Sequence, residues 1–244
     1  MKKLNVFIFK KYVVNLCIFA LVVIVGLAVI FGVNFSKSDA EPASAQQGAI
    51  YQGDTNSKKI SLMINVYWGT EYLGDMLDCL ESKNAKATFF VGGTWVADNG
   101  ELLVKMAENG HEIGNHAYSH KDHDKLTKES SKKEISTTHN LVKSTIGKDM
   151  TLFAPPSGAY NAQTVECAKE LGYKTIMWTR DTIDWRDQDE ETIYNRAVNN
   201  AKGGDLILMH PTACTAKALG RIIDKLQSLG FELVTVSENI STVA

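Results

Sequence analysis

The order of local patterns along residues 59–244 constrains the fold of this chain more than any other feature. Short apolar runs rich in β-forming residues alternate there with segments whose apolar residues recur at helical spacing. The runs predict strands at 60–64, 86–91, around 113, 151–153, 174–178, 205–209 and 231–234, and the spaced segments predict helices at 71–83, 100–109, 127–145, 162–171, 189–201 and 214–228. This alternation predicts parallel strands joined by helical crossovers.

Polar side chains directly follow several of the predicted strands. They are Asn65, His116 and His120, Tyr160, Asp181 and Asp184, and His210. Because the carboxyl ends of parallel strands meet at one edge of a sheet, we expect these groups to share a pocket. Active groups at that edge are the rule in (β/α) barrels, which the pattern favours. An open doubly wound sheet would place them at the same edge and stays an alternative.

His116 and His120 form the clearest candidate for a metal site. Their spacing puts both imidazoles on one side of either a strand or a helix, and two such rings are a common nucleus of a metal site. The alternative is a pair of core histidines whose ring nitrogens are bonded to backbone groups. We expect His111 to be structural and His123 to be a solvated loop residue, while strand alternation turns Arg180 away from the pocket.

The N-terminal part of the chain predicts a membrane anchor. Residues 1–12 are basic, and residues 13–35 carry an apolar run without a charge that is about as long as the roughly 20 residues needed to cross a bilayer. The lysines before the run keep the N-terminus in the cytoplasm and send the rest outside. Residues 36–58 are polar and predict a flexible linker, which leaves residues 59–244 as one domain. The alternative is a cleaved signal peptide, because Ala43–Ala45 has the small residues of a cleavage site.

Charge and cysteine content exclude two further classes of protein. The formal net charge is −2 and no stripe of Lys and Arg with interleaved aromatic residues occurs, so nucleic acid is not an expected partner. Cys79 and Cys167 fall on the apolar faces of predicted helices, which indicates buried free thiols. Together with Cys214 they form neither a disulfide framework nor a CxxC metal site.

Four segments carry a resemblance to one family. Gly110–His120 resembles the histidine motif of the polysaccharide deacetylases, the NodB-homology or carbohydrate esterase 4 family. Lys86–Gly92 is similar to the second strand of that family, and Asp181–Trp185 and Leu208–His210 are similar to its later motifs. The set keeps the family's order across residues 59–240. The resemblance implies a distorted, incomplete (β/α) barrel that removes acetyl groups from sugars such as the N-acetylglucosamine of peptidoglycan or chitin.

The resemblance also implies roles for individual residues. His116 and His120 would bind a divalent metal, zinc, that polarises the acetyl carbonyl and activates water. His210 would protonate the leaving amine as the general acid, with Asp181 placed to tune it.

Four residues are expected to contact the glycan. Trp185 and Leu208 would line the acetyl pocket by the same resemblance. Trp68 and Tyr160 would stack on apolar sugar faces, or else pack at the rim of the pocket.

Two motifs depart from the family pattern. Where the family has Thr-Phe-Asp-Asp-Gly, this chain has Asn65 at the position of the base aspartate and Val66 at that of the metal aspartate. Ala154 stands where the family has the arginine that orients the base. An amide cannot accept a proton near neutral pH and a valine cannot bind a metal, so the base and one metal ligand are replaced.

Two functions from different classes therefore remain. One is a cell-surface carbohydrate deacetylase with altered chemistry, and the other is a non-catalytic glycan-binding relative of the same fold. Residue 65 favours the second, whereas the retained His116, His120 and His210 favour the first. Trp68-Gly69 and Pro155–Gly158, taken with the anchor, resemble the sporulation-associated branch of the family.

Overall fold

The computed structural model describes residues 48–243 and contains the expected alternation of strands and helices. The strands are β1 (Lys59–Val66), β2 (Ala87–Val91), β3 (Glu112–Asn115), β4 (Leu152–Phe153), β5 (Lys174–Thr175), β6 (Arg180–Asp181), β7 (Leu206–Met209) and β8 (Glu232–Leu233). The helices are α1 (Thr70–Ser82), α2 (Gly93–Asp98), α3 (Gly100–Glu108), α4 (Lys128–Ile146), α5 (Ala162–Glu170), α6 (Glu190–Val198), α7 (Ala213–Ser228) and α8 (Val236–Asn239). Short 3₁₀ turns occupy His123–Lys125 and Pro156–Gly158.

The sheet is parallel and curled into an incomplete barrel. Its strand order is β5-β4-β3-β2-β1-β7-β6, with β8 paired to β1, and every pairing in it is parallel. The two edge strands, β5 and β6, are not neighbours in this order, so the barrel does not close through them. The expectation of a distorted, incomplete barrel is confirmed. The sheet is therefore not the open doubly wound alternative.

Strand alternation sorts the core into two layers. Ile60, Leu62 and Ile64 of β1 face outwards and pack with the apolar sides of the helices. Met63 faces the barrel interior, where it packs with Phe90 and other apolar side chains. Because successive strand residues point to opposite faces, Asn65 lies on the interior face, at the carboxyl end of β1. This alternation decides which residues reach the site.

The domain begins earlier than residue 59, so the expectation of a flexible linker up to residue 58 is wrong for its last part. Ile50 forms a parallel bridge with Ile176, and its N–H donates to the carbonyl oxygen of Thr175 at 2.8 Å. The N–H of Gly53 donates to the carbonyl oxygen of Gly204, also at 2.8 Å. This segment therefore links the end of β5 to the start of β7. The predicted anchor at residues 13–35 lies outside the described residues, and within residues 48–243 no helix is long and apolar enough to cross a membrane.

Candidate active site

A cavity opens at the carboxyl ends of β1, β3, β6 and β7, where the sequence places its polar groups. Its volume is about 390 Å³, which is the size of a small-molecule site. It is lined by Asn65, Tyr67, Trp68, His116, His120, Ser157, Gly158, Trp178, Asp181, Trp185, Leu208 and His210. Eight of the nine predicted site residues therefore meet in one place, and Tyr160 is the exception. The Tyr160 hydroxyl instead forms a hydrogen bond with the Tyr51 hydroxyl, with the two oxygens 2.8 Å apart.

His116 and His120 lie side by side and are neutral near pH 7. Their ring centroids are 5.1 Å apart. His116 is buried, and its Nδ1–H donates to the carbonyl oxygen of Ala154 at 2.7 Å. This bond leaves the lone pair on Nε2, as in most metal-binding histidines. Burial lowers the pKa of His116 to about 3 and also lowers the pKa of His120, because the charged form loses its hydration.

A buried carboxylate holds the loop that carries His120. Glu134 of α4 accepts hydrogen bonds from the N–H groups of Tyr118 and Ser119, from the Ser119 hydroxyl and from Lys121 Nζ, at 2.5–3.1 Å. Its Ser119 bonds lower the pKa of Glu134 against the effect of burial. The loop also places His120 at a φ of 53°, which non-glycine residues rarely adopt. The position of the second histidine therefore depends on Glu134.

The hydrogen-bond partner of His210 is Asp184, whereas Asp181, which the resemblance places to tune this histidine, interacts with it only through its charge. Asp184 is fully buried, and its Oδ1 accepts a hydrogen bond from His210 Nδ1 at 2.8 Å. Its Oδ2 accepts from the backbone N–H of His210 at 2.6 Å and from the Thr215 hydroxyl at 2.5 Å. Thr215 lies in the first turn of α7, which begins after its N-cap, Thr212. Asp184 fixes the tautomer and the orientation of the His210 ring, as the orienting carboxylate does in acid–base sites.

Asp181 lines the cavity without contacting His210 directly. Its Oδ1 accepts a hydrogen bond from the Ile183 N–H at 2.8 Å, and burial raises its pKa. Ile183 has a φ of 53°, which is strained for a β-branched residue. This backbone conformation turns the chain between the two aspartates, and only Asp184 hydrogen-bonds His210. Arg180 is not among the residues that line the cavity, as predicted, and its guanidinium donates to the carbonyl oxygen of Arg196 near the carboxyl end of α6.

Asn65 and Val66 occupy different environments. Asn65 lines the cavity and is 5% exposed, and its Oδ1 is buried without a hydrogen-bond partner. Val66 is fully buried in the outer apolar layer. Tyr67, the first residue after β1, lines the cavity, and the centroid of its ring lies 4.8 Å from that of His120. The structure therefore places a phenol, and not the side chain of residue 66, beside the histidine pair.

The residues present do not fit a complete metal site. Within the described part of the chain, no group of three His, Cys, Asp or Glu side chains is arranged to hold a metal ion. A catalytic zinc site ordinarily has three protein ligands and one open position, and here only two imidazoles are available. Asn65 adds a neutral amide, which is a poor substitute for a carboxylate towards zinc.

Three tryptophans frame the mouth of the cavity. Trp68 stacks on His210 with the ring centroids 5.8 Å apart and the planes 7° from parallel. Trp68 and Trp185 stay 44% and 54% exposed, and Trp178 is half-buried and packs against the apolar side chains of the barrel interior. Gly69 has a φ of 77°, and a side chain at this position would collide with the carbonyl oxygen of Pro211. The Trp68-Gly69 pair therefore needs glycine to hold the indole above His210.

His111 and His123, two further histidines of the same region, are both buried. His111 is buried, and its Nδ1 accepts a hydrogen bond from the Ala87 N–H at 3.3 Å, which confirms a structural role. His123 is also fully buried and bonded to Ser131, so the expectation of a solvated loop residue is wrong. Its short 3₁₀ turn gave no sequence signal. Cys79, Cys167 and Cys214 are free thiols.

The motif at Ala154–Gly158 contributes backbone and small side chains to the site. Ala154 is fully buried and receives the His116 bond through its carbonyl oxygen. Ser157 and Gly158 line the cavity, with Ser157 at a φ of 56°. No arginine or lysine is among the residues lining this cavity, so nothing replaces the orienting arginine that the motif lacks.

Comparison with known proteins gives a consistent set of relatives. The profile of the polysaccharide deacetylase family matches residues 52–176. The Bacillus subtilis protein YlxY is 40% identical over 202 residues, which are 83% of this chain and 63% of YlxY. A peptidoglycan N-acetylglucosamine deacetylase of Bacillus cereus is 34% identical over 189 residues, covering 75% of this chain and 88% of the relative.

Solved structures give the same result. BA3943 of Bacillus anthracis, described as a carbohydrate esterase 4 pseudoenzyme, matches with a TM-score of 0.77 and 34% identity, over 80% of this chain and 69% of that one. A mutant of BA3943 described as having restored enzymatic activity matches with the same TM-score and 32% identity, over 80% of this chain and 71% of that one.

Proposed function

The chain belongs to the polysaccharide deacetylase family, and from that premise we propose that it binds N-acetylated cell-wall glycan in a deacetylase-type cavity whose hydrolytic machinery is incomplete. By resemblance it is a carbohydrate N-deacetylase, and a pseudoenzyme stands among its structural neighbours. The polymer we propose is peptidoglycan, because relatives at 34% identity are named peptidoglycan deacetylases. The chain spans only 63% of the length of YlxY. Any activity of the whole protein is therefore also a proposal.

The proposal rests on one cavity that keeps side chains suited to a sugar but has lost the family's base. Side chains that can contact a sugar are present, because Trp68 and Trp185 are exposed and line the cavity together with the buried Leu208. The family's base aspartate is replaced, because Asn65 lies at its position in the cavity. General-base catalysis is typically worth about 10²–10⁴-fold, so its loss suppresses turnover without closing the cavity.

One observation favours a second candidate, a slow deacetylase. His210 keeps a buried carboxylate partner, Asp184, at 2.8 Å, and a pure binding site has little need of this arrangement. In this alternative His210 holds a proton at Nε2 for the leaving nitrogen, and the reaction is slow because the base is missing. The two candidates predict the same binding and differ only in whether acetate is released.

We propose that a divalent metal, zinc in this family, binds weakly. His116 and His120 are two neutral imidazoles where three protein ligands are usual. The full chain loaded with zinc should lose it on dialysis against a chelator, as measured by elemental analysis. Stoichiometric zinc that survives extended dialysis would contradict this proposal.

The test of the main proposal measures binding and acetate release in the same samples. The full chain is titrated with N-acetylglucosamine oligomers, and binding is followed by tryptophan fluorescence. Acetate is then assayed on the same oligomers and on peptidoglycan. Binding without measurable acetate supports the glycan-binding function, slow release that His210→Ala abolishes supports the second candidate, and absence of binding contradicts both.

The location and the cellular role are also proposals. Residues 13–35 would anchor the chain in the cell membrane with the domain outside, as their length and the preceding lysines suggest. Protease added to intact protoplasts should then digest the domain, and protection of the domain would contradict the orientation. The resemblance of the Trp68-Gly69 and Pro155–Gly158 segments supports a role in sporulation. Deletion of the gene in its own host should then alter spore formation and leave vegetative growth unchanged.

A further inference from the structure

Two arginines share one carboxylate beside the cavity. Asp187 accepts hydrogen bonds from Arg186 Nε and Nη2 at 2.8 and 2.9 Å, and from Arg196 Nη2 at 2.6 Å. These bonds hold the pKa of Asp187 well below its usual range, and both guanidinium groups stay charged near neutral pH. The cluster therefore carries more positive than negative charge.

Arg186 is the member of this cluster that is open to solvent at the edge of the cavity. Its side chain is 56% exposed, against 29% for that of Arg196. Its guanidinium carbon lies 5.9 Å from the ring centroid of Trp185, and its charge interacts with that of Asp181. Trp185 and Asp181 line the cavity, whereas no arginine or lysine does. Arg186 Nη1 forms no hydrogen bond with the described residues, so this cation keeps donors for a ligand.

The chemistry of the guanidinium indicates what such a ligand is. Its N–H groups form a planar fork that matches the two oxygens of a carboxylate. The glycan strands of peptidoglycan offer this group, because every second sugar carries a lactyl ether that ends in a carboxyl. This carboxyl is free where the stem peptide has been removed, and an intact stem peptide brings carboxylates of its own. Chitin is neutral and offers none.

We propose that Arg186 binds a carboxylate of the glycan at the mouth of the cavity and makes the site selective for an anionic over a neutral polysaccharide. A sugar in contact with Trp185 brings its substituents to the indole over which the Arg186 guanidinium lies. The inference rests on the proposed glycan-binding function. It names the residue through which the site distinguishes peptidoglycan from chitin.

The variant that tests this role is Arg186→Gln, which removes the charge and shortens the side chain. Asp187 keeps its hydrogen bond from Arg196, and the replaced side chain is exposed, so the folded state should tolerate the change. The thermal midpoint of the variant verifies folding.

Arg221→Gln is the matched control. The Arg221 side chain is 50% exposed and is likewise paired with carboxylates, those of Glu190 and Glu191. Its guanidinium lies over an aromatic ring as well, 4.5 Å from the centroid of Tyr194. Neither Arg221 nor Tyr194 lines the cavity. This variant therefore makes the same change of charge away from the site.

The measurement compares three forms of one glycan by calorimetry with the full chain. They are peptidoglycan strands freed of stem peptides, the same strands with their lactyl carboxylates converted to methylamides, and strands that keep their stem peptides. Wild type should prefer a carboxylate-bearing form over the methylamide form about fivefold, the size of an exposed ion pair. Salt at about 1 M should remove most of this preference, because it screens exposed charges.

The variants decide whether Arg186 is the residue responsible. Arg186→Gln should abolish the preference, and Arg221→Gln should keep it. A preference confined to the peptide-free strands assigns the lactyl carboxylate as the ligand, and one confined to the peptide-bearing strands assigns the stem peptide. Equal binding of all three forms by wild type, or a preference that survives in Arg186→Gln, would overturn the role of Arg186 alone. Absence of binding to every form would overturn the proposed function as well.

Discussion

Replacing Asp184 by asparagine tests the assignment of this residue as the partner of His210. The Asp184 carboxylate accepts three hydrogen bonds, two from His210 and one from Thr215. An asparagine keeps one oxygen and turns an NH₂ group towards at least one of these donors. A buried donor left without an acceptor costs about 1–3 kcal/mol, so we expect a loss of about 2 kcal/mol. For a domain of this size that corresponds to a fall of about 4–8 °C in Tm.

The matched control is the same substitution at Asp181. Its oxygen accepts only the Ile183 N–H, and an asparagine keeps that acceptor, so the change should stay within about 0.5 kcal/mol. Urea denaturation of both variants and of wild type gives the comparison, with the slope checked for two-state behaviour. Equal destabilisation by the two substitutions would refute the assignment of Asp184 as the buried partner.

Three further predictions follow from other parts of the fold. Burial lowers the pKa values of His116 and His123 to about 3 and about 4, so the unfolded chain, with pKa values near 6.5, binds protons first as the pH falls. The free energy of unfolding should fall between about pH 6.5 and pH 4, and at pH 5 the loss should be about 2 kcal/mol for each histidine. A urea midpoint at pH 5 equal to that at neutral pH would exclude this. Removal of residues 48–58 as well as 1–47 should lower Tm relative to removal of 1–47 alone, because that segment packs between β5 and β7; equal midpoints would contradict it. Glu134→Gln should destabilise the chain by about 1–3 kcal/mol. It should also weaken glycan binding, because the loop that it holds carries His120 into the cavity. Stability and binding equal to those of wild type would exclude the loop-holding role.

The strands and helices could be predicted because their periodicity is strong. The helix predicted at 127–145 is observed at Lys128–Ile146, and the strand predicted at 86–91 is observed at Ala87–Val91. Short elements could not be predicted in this way. Helix α2 begins at Gly93, in a Gly-Gly pair that indicates the end of a strand, and α8 has only four residues.

The sequence predicted which residues form the site, but not which of them hydrogen-bond to one another. The order of the motifs brought His116, His120 and His210 together correctly. The spacing of Asp181 and Asp184 could not show which of them lies under His210, since that depends on the left-handed backbone of Ile183. Alternation along β1 also decides where residue 66 lies, because it points the Val66 side chain towards the helices and away from the cavity.

Restoration of a carboxylate at residue 65 tests the central claim that the site is a deacetylase cavity without its base. Acetate release from N-acetylglucosamine oligomers is measured with zinc present for wild type, for Asn65→Asp, and for Asn65→Asp combined with Val66→Asp or with Tyr67→Asp. The first pair follows the family's paired aspartates, and the second places both carboxylates on the cavity face. At least one of these variants should exceed wild type by about 10²-fold or more. Rapid acetate release by wild type that Asn65→Asp does not increase and His210→Ala abolishes would contradict the account.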